Sequence, residues 1–319
     1  AELQPVGEGL PEAGGGRMGL LGSGGDWGGA GHEVRQRCDE VGSGALILAA
    51  GRDRAMTTER RATVNLKMWR KLPLPRMRVQ TLYGALKMAT SFSGHKDPET
   101  GAHLERMARF SRLIAQGIAT DYGLSDEFVE AIFWFAPMHD VGKIAIPDHI
   151  MRKPGKLSDD EFAIMKTHAT RGSEIIRNML GNFNLDASGM GEMIGNIAEF
   201  HHENIDGSGY PEGRKGFDIP VEARIIAVAD VFDALTSERP YKKPMALAQA
   251  LTIIERDSGR HFDPEVVAIF KEIAPVLYAT ALQAGNAGLR QEMQAVLSRY
   301  FRTAAAPAGA TSHPGESVD

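Results

Sequence analysis

From Val79 onward, apolar residues recur at spacings of three and four, the mark of helices with one buried face. Leu82, Leu86 and Met88 fall on a first such stripe, and Leu104, Met107, Ala108, Leu113, Ile114 and Ile118 on a second. Helical patterning continues to about residue 302. Start signals agree with it: Ser125-Asp126-Glu127 opens one helix, and Ser158 with Glu161 three residues later forms a capping box for another. The run from Ala223 to Ser237 is apolar nearly all round, which predicts a helix buried in the interior. No alternating runs joined by hairpin turns are present. Between Asn204 and Ile219, Gly207, Gly209, Gly213, Gly216 and Pro211 are too dense for regular structure and predict a loop, which on a rigid scaffold is a place for binding. The expectation is an all-α helical bundle carrying one Gly/Pro-rich loop.

The flanks break the pattern. The first fifty or so residues are glycine-rich (Gly14-Gly15-Gly16, Gly24-Gly25, Gly28-Gly29) without periodicity, which predicts a flexible segment. Residues 52 to 78 carry Arg52, Arg54, Arg60, Arg61, Lys67, Arg70, Lys71, Arg76 and Arg78 against Asp53 and Glu59. We read them as a solvated linker rather than a nucleic-acid or membrane patch. Residues 304 to 319, rich in Ala, Pro, Gly and Ser, read as a frayed tail. The expected boundaries are a flexible segment or linker over 1–78, the bundle over 79–285, and a C-terminal helix with a disordered tail over 286–319.

Composition adds exclusions. Hydrophobic residues at 43% and charged residues at 24% suit a soluble globular protein with a sizeable core. The longest apolar stretch, Val221 to Leu235, is broken by charges and is shorter than the roughly 18 to 20 residues of a membrane-spanning helix. The chain begins at Ala1 without a basic segment followed by an apolar one, so a cytoplasmic location is the default expectation. A single cysteine, Cys38, excludes an internal disulfide framework and a multi-thiolate site. The net charge of -5 gives no support to attraction for DNA or an anionic membrane, so an anionic substrate would need local cations or metal.

Histidine carries the candidate chemistry. His103, His139, His168, His201 and His202 each lie on or beside a predicted helix, close to a carboxylate or another histidine. Helical bundles build interior metal sites from such pairs. Glu99 and His103, four apart, share a face if the helix has begun by Glu99. His139 and Asp140 are adjacent, about 100° apart on a helix. That suits a histidine on one metal and a carboxylate bridging to a second, while an ion pair from Asp140 to Lys143 is the alternative. His168 follows a predicted helix containing Phe162, Ile164 and Met165, where a lone histidine is more often structural than a ligand. His201-His202 close a helix through Met193, Ile194 and Ile197. Asp230, inside the apolar run, most needs a partner for its charge; Asp233 one turn on could cap the helix, form an ion pair or orient a ligand, and we favour the last. Five histidines and three carboxylates without cysteine suit iron, manganese, cobalt or zinc. Eight ligands exceed one ion; two metals roughly 3.5 to 4 Å apart form a centre for phosphate-ester hydrolysis, and Glu99 with His103 would complete a third.

These residues also form ordered motifs. His139-Asp140-Val-Gly-Lys143, Ile146-Pro-Asp148, Lys153-Pro-Gly-Lys156 and His201-His202-Glu-Asn-Ile-Asp206-Gly-Ser-Gly209-Tyr210-Pro211 resemble the HD-GYP family of cyclic di-GMP phosphodiesterases. Asp230-Val-Phe-Asp-Ala-Leu-Thr-Ser, Arg239-Pro-Tyr and Phe262-Asp263-Pro264 continue the resemblance, which covers residues 95 to 272. It implies an HD-superfamily bundle with two or three divalent metals, iron first and manganese second, a trinuclear centre being favoured by Glu99. It further implies hydrolysis of cyclic di-GMP to pGpG, GMP or both through a metal-bridging hydroxide. By position the ligands are Glu99, His103, His139, Asp140, His168, His201, His202 and Asp230. Asp140 and Lys143 would be catalytic, Lys143 meeting the scissile phosphate. Gly209, Tyr210, Pro211, Arg239 and Lys242 would contact substrate, with Tyr210 stacking on guanine and Arg239 forking to a phosphate or base edge. A catalytically weak cyclic di-GMP receptor and an HD phosphohydrolase of another nucleotide are the alternatives. Signalling-protein partners and a homodimer through residues 79 to 93 are left open, since no sustained heptad specifies one. Two departures are visible: Gly213-Arg214-Lys215-Gly216-Phe217-Asp218 replaces an aliphatic and then an acidic residue, and no familiar sensory or response-regulator domain precedes residue 79.

Overall fold

A computed structural model of the chain describes Gly84 and residues 101–182, 189–238 and 243–283. Most of the stripe expected near residues 79 to 93, the N-terminal segments, the tail and the helix expected after residue 285 lie outside them. Eight α-helices are present among the described residues. These are α1 (Gly101–Tyr122), α2 (Asp126–Phe135), α3 (Asp148–Met151), α4 (Asp159–Asn182), α5 (Gly189–Phe200), α6 (Val221–Thr236), α7 (Leu247–Arg256) and α8 (Pro264–Gln283). No strand occurs among the described residues; a lone bridge joins Ser258 to Phe262.

The start signals form as expected. The Ser125 side chain accepts a hydrogen bond from the Phe128 N–H at 3.3 Å, and Asp126 and Glu127 place negative charge on the first turn of α2. At α4 the capping box is complete: Ser158 N donates to Glu161 Oε2 at 2.7 Å, and Glu161 N donates to Ser158 Oγ at 3.3 Å. The helix then runs unbroken to Asn182, so His168 lies inside it and not after it.

Around His139 and Asp140 the structure departs from the helical expectation. Pro137 has no N–H for the Phe133 carbonyl, so α2 stops at Phe135. The chain continues as a short 3₁₀ turn (Ala136–Met138), a bend at His139-Asp140, and a second 3₁₀ stretch (Val141–Ala145). The two side chains are therefore aimed by this bend, not by the rotation of a regular helix.

Helix α6 is the axis of the fold. It packs against α1, α5, α7 and α8, and every one of its residues is buried. Phe232 meets Phe110 of α1 at 5.4 Å between ring centroids and Phe270 of α8 at 5.0 Å, edge to face. Four charges enter the interior with this helix. Arg224 donates to Asp263 Oδ2 at 2.6 Å and to the Ile219 carbonyl at 3.0 Å, and Tyr122 donates to Asp263 at 2.9 Å, so α1, α6 and the start of α8 share one polar knot. Glu222 accepts from Asn196 of α5 at 2.7 Å; Asp230 and Asp233 face the histidines. None of the described helices is long and apolar enough to cross a membrane.

Burial raises the pKa of Glu222, and the Asn196 hydrogen bond offsets this only in part. The folded state thus holds that proton more tightly than the unfolded chain does. Its contribution is most favourable below the ordinary carboxylate range and is lost as pH rises through it. Glu222→Gln keeps the Asn196 bond and removes the charge. Its thermal stability relative to the unsubstituted protein should therefore grow between about pH 4 and pH 8. A difference in melting temperature that is flat across that range would contradict this account.

Candidate metal centre

Two glycine contacts bring the histidines together. A Cβ on Gly142 would lie 1.9 Å from the His168 carbonyl oxygen and 2.4 Å from the Gly172 nitrogen, so only glycine lets the 141–145 stretch lie flat on α4. Asp140 is thereby set beside His168: Asp140 Oδ1 is 3.3 Å from His168 Nε2 and 3.7 Å from His201 Nε2. Its other oxygen, Oδ2, is 3.1 Å from His139 Nε2 and 2.8 Å from Lys143 Nζ. The ion pair kept open from the sequence is therefore formed, and Asp140 still presents its second oxygen to His168 of α4 and to His201, which lies just past the end of α5.

Seven of the eight candidate ligands fall into two groups whose ligating atoms lie within 4.8 Å of one another: Asp140, His168, His201 and His202 in one, and His103, His139 and Asp230 in the other. His139 Nε2, at 4.0 Å from Asp230 Oδ1, belongs to the second group and leans on Asp140 of the first. Asp140 thus stands between them. Glu99 lies outside the described residues, as do Arg239 and Lys242.

Four of the rings are turned by hydrogen bonds on the side away from the cluster. His139 Nδ1 is 2.9 Å from the Ala136 carbonyl, His168 Nδ1 is 2.8 Å from the Met165 carbonyl, and His201 Nδ1 is 3.0 Å from the Ile197 carbonyl. His103 Nδ1 is 2.7 Å from Asp233 Oδ2. A carbonyl can only accept, so each of the first three Nδ1 atoms must carry the proton, which leaves Nε2 as the lone-pair donor facing inward. Asp233 is itself held by Arg106, through Nε and through Nη2 at 3.1 Å. Asp233 thus turns the His103 ring.

Electrostatics favour cations here. Burial opposes ionisation of Asp140, but Lys143 and His139 outweigh it and hold the carboxyl well below its usual range. Burial pushes His201 down to about 4, and the same burial together with His201 and His168 lowers His202, the least buried of the set. These imidazoles are neutral near pH 7, the form that ligates metal. His168 Nε2, His201 Nε2 and Asp230 Oδ1 are buried and have no hydrogen-bond partner. Orphaned acceptors are costly in an apolar interior. Nitrogen and carboxylate donors converging on one place fit divalent metal ions, which would satisfy those atoms together.

Beside the cluster, the loop from His201 to Pro220 is fastened rather than slack. Gly209 packs on the preceding backbone so closely that a Cβ would lie 2.3 Å from the Asn204 nitrogen and 2.5 Å from the His202 carbonyl oxygen. Tyr210 N donates to the His202 carbonyl at 3.2 Å, and the Tyr210 ring stacks on His202 with centroids 4.7 Å apart. The Tyr210–Pro211 peptide is cis. Ile205 and Asp206 donate backbone hydrogen bonds to the carbonyls of His261 and Arg260, tying the loop to the segment before α8. A short 3₁₀ turn, Gly216–Asp218, forms within a loop expected to have no regular structure. Arg214, one of the loop's departures, lays its guanidinium 3.7 Å over the Phe200 ring.

Two contributors escaped the sequence analysis. Arg106 lies one turn from His103, a spacing that could have drawn notice, but its target Asp233 is distant in the chain. Glu203, directly after His201-His202, is buried and accepts the Glu212 N–H at 2.8 Å, pinning the loop just past Pro211.

A helical bundle that buries histidines and aspartates around two convergent groups of donors is a metal-site scaffold of the HD type. The chain belongs to the HD domain family, which residues 98–266 match. It is 43% identical over 199 residues to a cyclic di-GMP phosphodiesterase of Thermotoga maritima (61% of this chain, 51% of that protein). It is 46% identical over 173 residues to the cyclic di-GMP phosphodiesterase response regulator RpfG of Xanthomonas campestris (54% and 43%). It is also 43% identical over 174 residues to a 3'3'-cGAMP-specific phosphodiesterase of Vibrio cholerae (54% and 31%). These relatives agree with the HD-GYP resemblance drawn from the motifs. The chain spans about half the length of such relatives, or less.

Gly142→Ala must force the 141–145 stretch away from α4, at a cost of about 1 to 3 kcal/mol in stability. Asp140 moves away from His168 with it. The variant, purified and loaded in parallel with the unsubstituted protein, should hold less metal per chain by elemental analysis while keeping its helical circular dichroism. Equal metal content in both would show that this contact does not set the site.

Proposed function

We propose that this chain is a metal-dependent phosphodiesterase that hydrolyses cyclic di-GMP to pGpG, GMP or both, lowering the level of that second messenger in the cytoplasm. The observation that carries the reading is Asp140 standing between two groups of inward-facing histidine nitrogens, in a family whose similar members are named for cyclic dinucleotide hydrolysis. Glu99, His103, His139, Asp140, His168, His201, His202 and Asp230 would hold two or three divalent ions, iron by preference and manganese next, with Glu99 and His103 making the third position. Bound there, the metals supply Lewis acidity and lower the pKa of water for attack on a phosphodiester.

The chain's own residues supply the rest. Lys143, one turn from Asp140, neutralises charge developing on the phosphoryl oxygens. Tyr210 at the loop, held by His202, offers an aromatic surface for a guanine. Gly209 and Pro211 shape the rim there, and Arg239 and Lys242 complete the substrate contacts. Three carboxylates against two or three divalent cations leave a positive site for a dianionic substrate despite the acidic chain.

The test is anaerobic purification with metal analysis, loading with Fe(II) or Mn(II), and chromatographic resolution of pGpG and GMP from cyclic di-GMP, with 3'3'-cGAMP run alongside. Turnover of cyclic di-GMP is expected, with Tyr210→Ala lowering kcat/KM roughly 10- to 100-fold through loss of base stacking. Full metal loading without turnover would make the chain a receptor. Preference for 3'3'-cGAMP would move it to the other named substrate class.

A further inference from the structure

Lys166 stands two residues before His168 on α4, half-buried, with Nζ 5.4 Å from the centre of the Phe162 ring and 6.0 Å from that of Tyr210. Phe162 and Lys166 are four apart and so share a face of the helix. Tyr210 reaches that face from the loop, with its ring edge-on to Phe162 at 6.5 Å and to His168 at 6.4 Å. The ammonium is therefore held at the border between the histidine cluster and the loop. Two aromatic rings fix its place through their quadrupoles but do not neutralise it.

Its neighbours behave differently. Lys143 is 2.8 Å from Asp140, and Lys153 is 2.5 Å from Glu161 on α4. Lys166 makes no hydrogen bond or ion pair with any described residue. A half-buried cation, positioned by aromatic rings and lacking an anion beside a site for an anionic ligand, points to that ligand as its partner.

This inference rests on the cyclic dinucleotide reading. Such a substrate carries two phosphodiesters on opposite sides of its ring, and only one can occupy the reacting position at a time. Lys143 is paired with Asp140 at the cluster, whereas Lys166 stands against the Tyr210 ring. We propose that Lys166 binds the second, non-scissile phosphate and so selects cyclic dinucleotides over esters with a single phosphate.

The experiment compares the metal-loaded protein with Lys166→Ala and Lys166→Arg on cyclic di-GMP and on bis(p-nitrophenyl) phosphate, which has one phosphodiester. Lys166→Ala should raise KM for cyclic di-GMP by roughly 10-fold or more, as expected for loss of a charge-assisted contact, with kcat little changed. Lys166→Arg should restore most of the affinity, and kcat/KM for bis(p-nitrophenyl) phosphate should be the same in all three proteins. An unchanged KM for cyclic di-GMP in Lys166→Ala, or an equal loss on both substrates, overturns the assignment to the second phosphate alone. Failure of the unsubstituted protein to hydrolyse cyclic di-GMP, while bis(p-nitrophenyl) phosphate is cleaved, overturns the substrate reading and the Lys166 assignment with it.

Discussion

Burying Asp140 is the constraint on which the rest of the site depends. An ionised carboxylate in the interior is costly unless charge and hydrogen bonds surround it. The surroundings come from three parts of the chain: Lys143 and His139 from its own segment, His168 from α4, and His201 from just past the end of α5. Each must be held in place by something else. The Gly142 contact with α4 sets one distance, the Pro137 break in α2 sets another, and backbone carbonyls turn three imidazoles. Packing and polar satisfaction here are one problem: a shift in any of these elements leaves a buried donor or acceptor without its neighbour.

The same logic extends outward along α6. This helix is buried on every side, so each charge it carries must be answered from another element. Asp233 is met by His103 and Arg106 of α1, Arg224 by Asp263 before α8, and Glu222 by Asn196 of α5. The polar contacts of α6 therefore fix how three other helices sit around it. The Ile219 carbonyl that Arg224 also engages belongs to the end of the glycine-rich loop, so the knot that orders the bundle also fastens the loop over the cluster.

Much of the site was readable from residue types and spacing. The helix starts at Ser125 and Ser158, the buried α6 and the convergence of histidine with aspartate are local or compositional signals, and they survive folding because capping and amphipathic periodicity act over a single turn. The bend at His139-Asp140 was not read, although Pro137 announced it. The apolar flanks suggested a continuing helix, and only the missing N–H of one residue argued otherwise. Arg106 and Glu203 were passed over because a lone arginine or glutamate has no meaning until its distant partner is known. Glu99, Arg239 and Lys242, named from the motifs, lie outside the described residues and stand as proposals.

By itself the sequence determined an all-helical scaffold, its helix starts, its interior helix and the stock of nitrogen and oxygen donors, because each follows from interactions between residues a turn apart. Tertiary structure alone decided that Asp140 stands between two groups of donors, that Asp233 turns His103, and that Lys166 meets Tyr210 across the loop. Those relations join residues far apart in the chain. Their distances are set by close packing at Gly142 and Gly209, where a single added carbon would not fit.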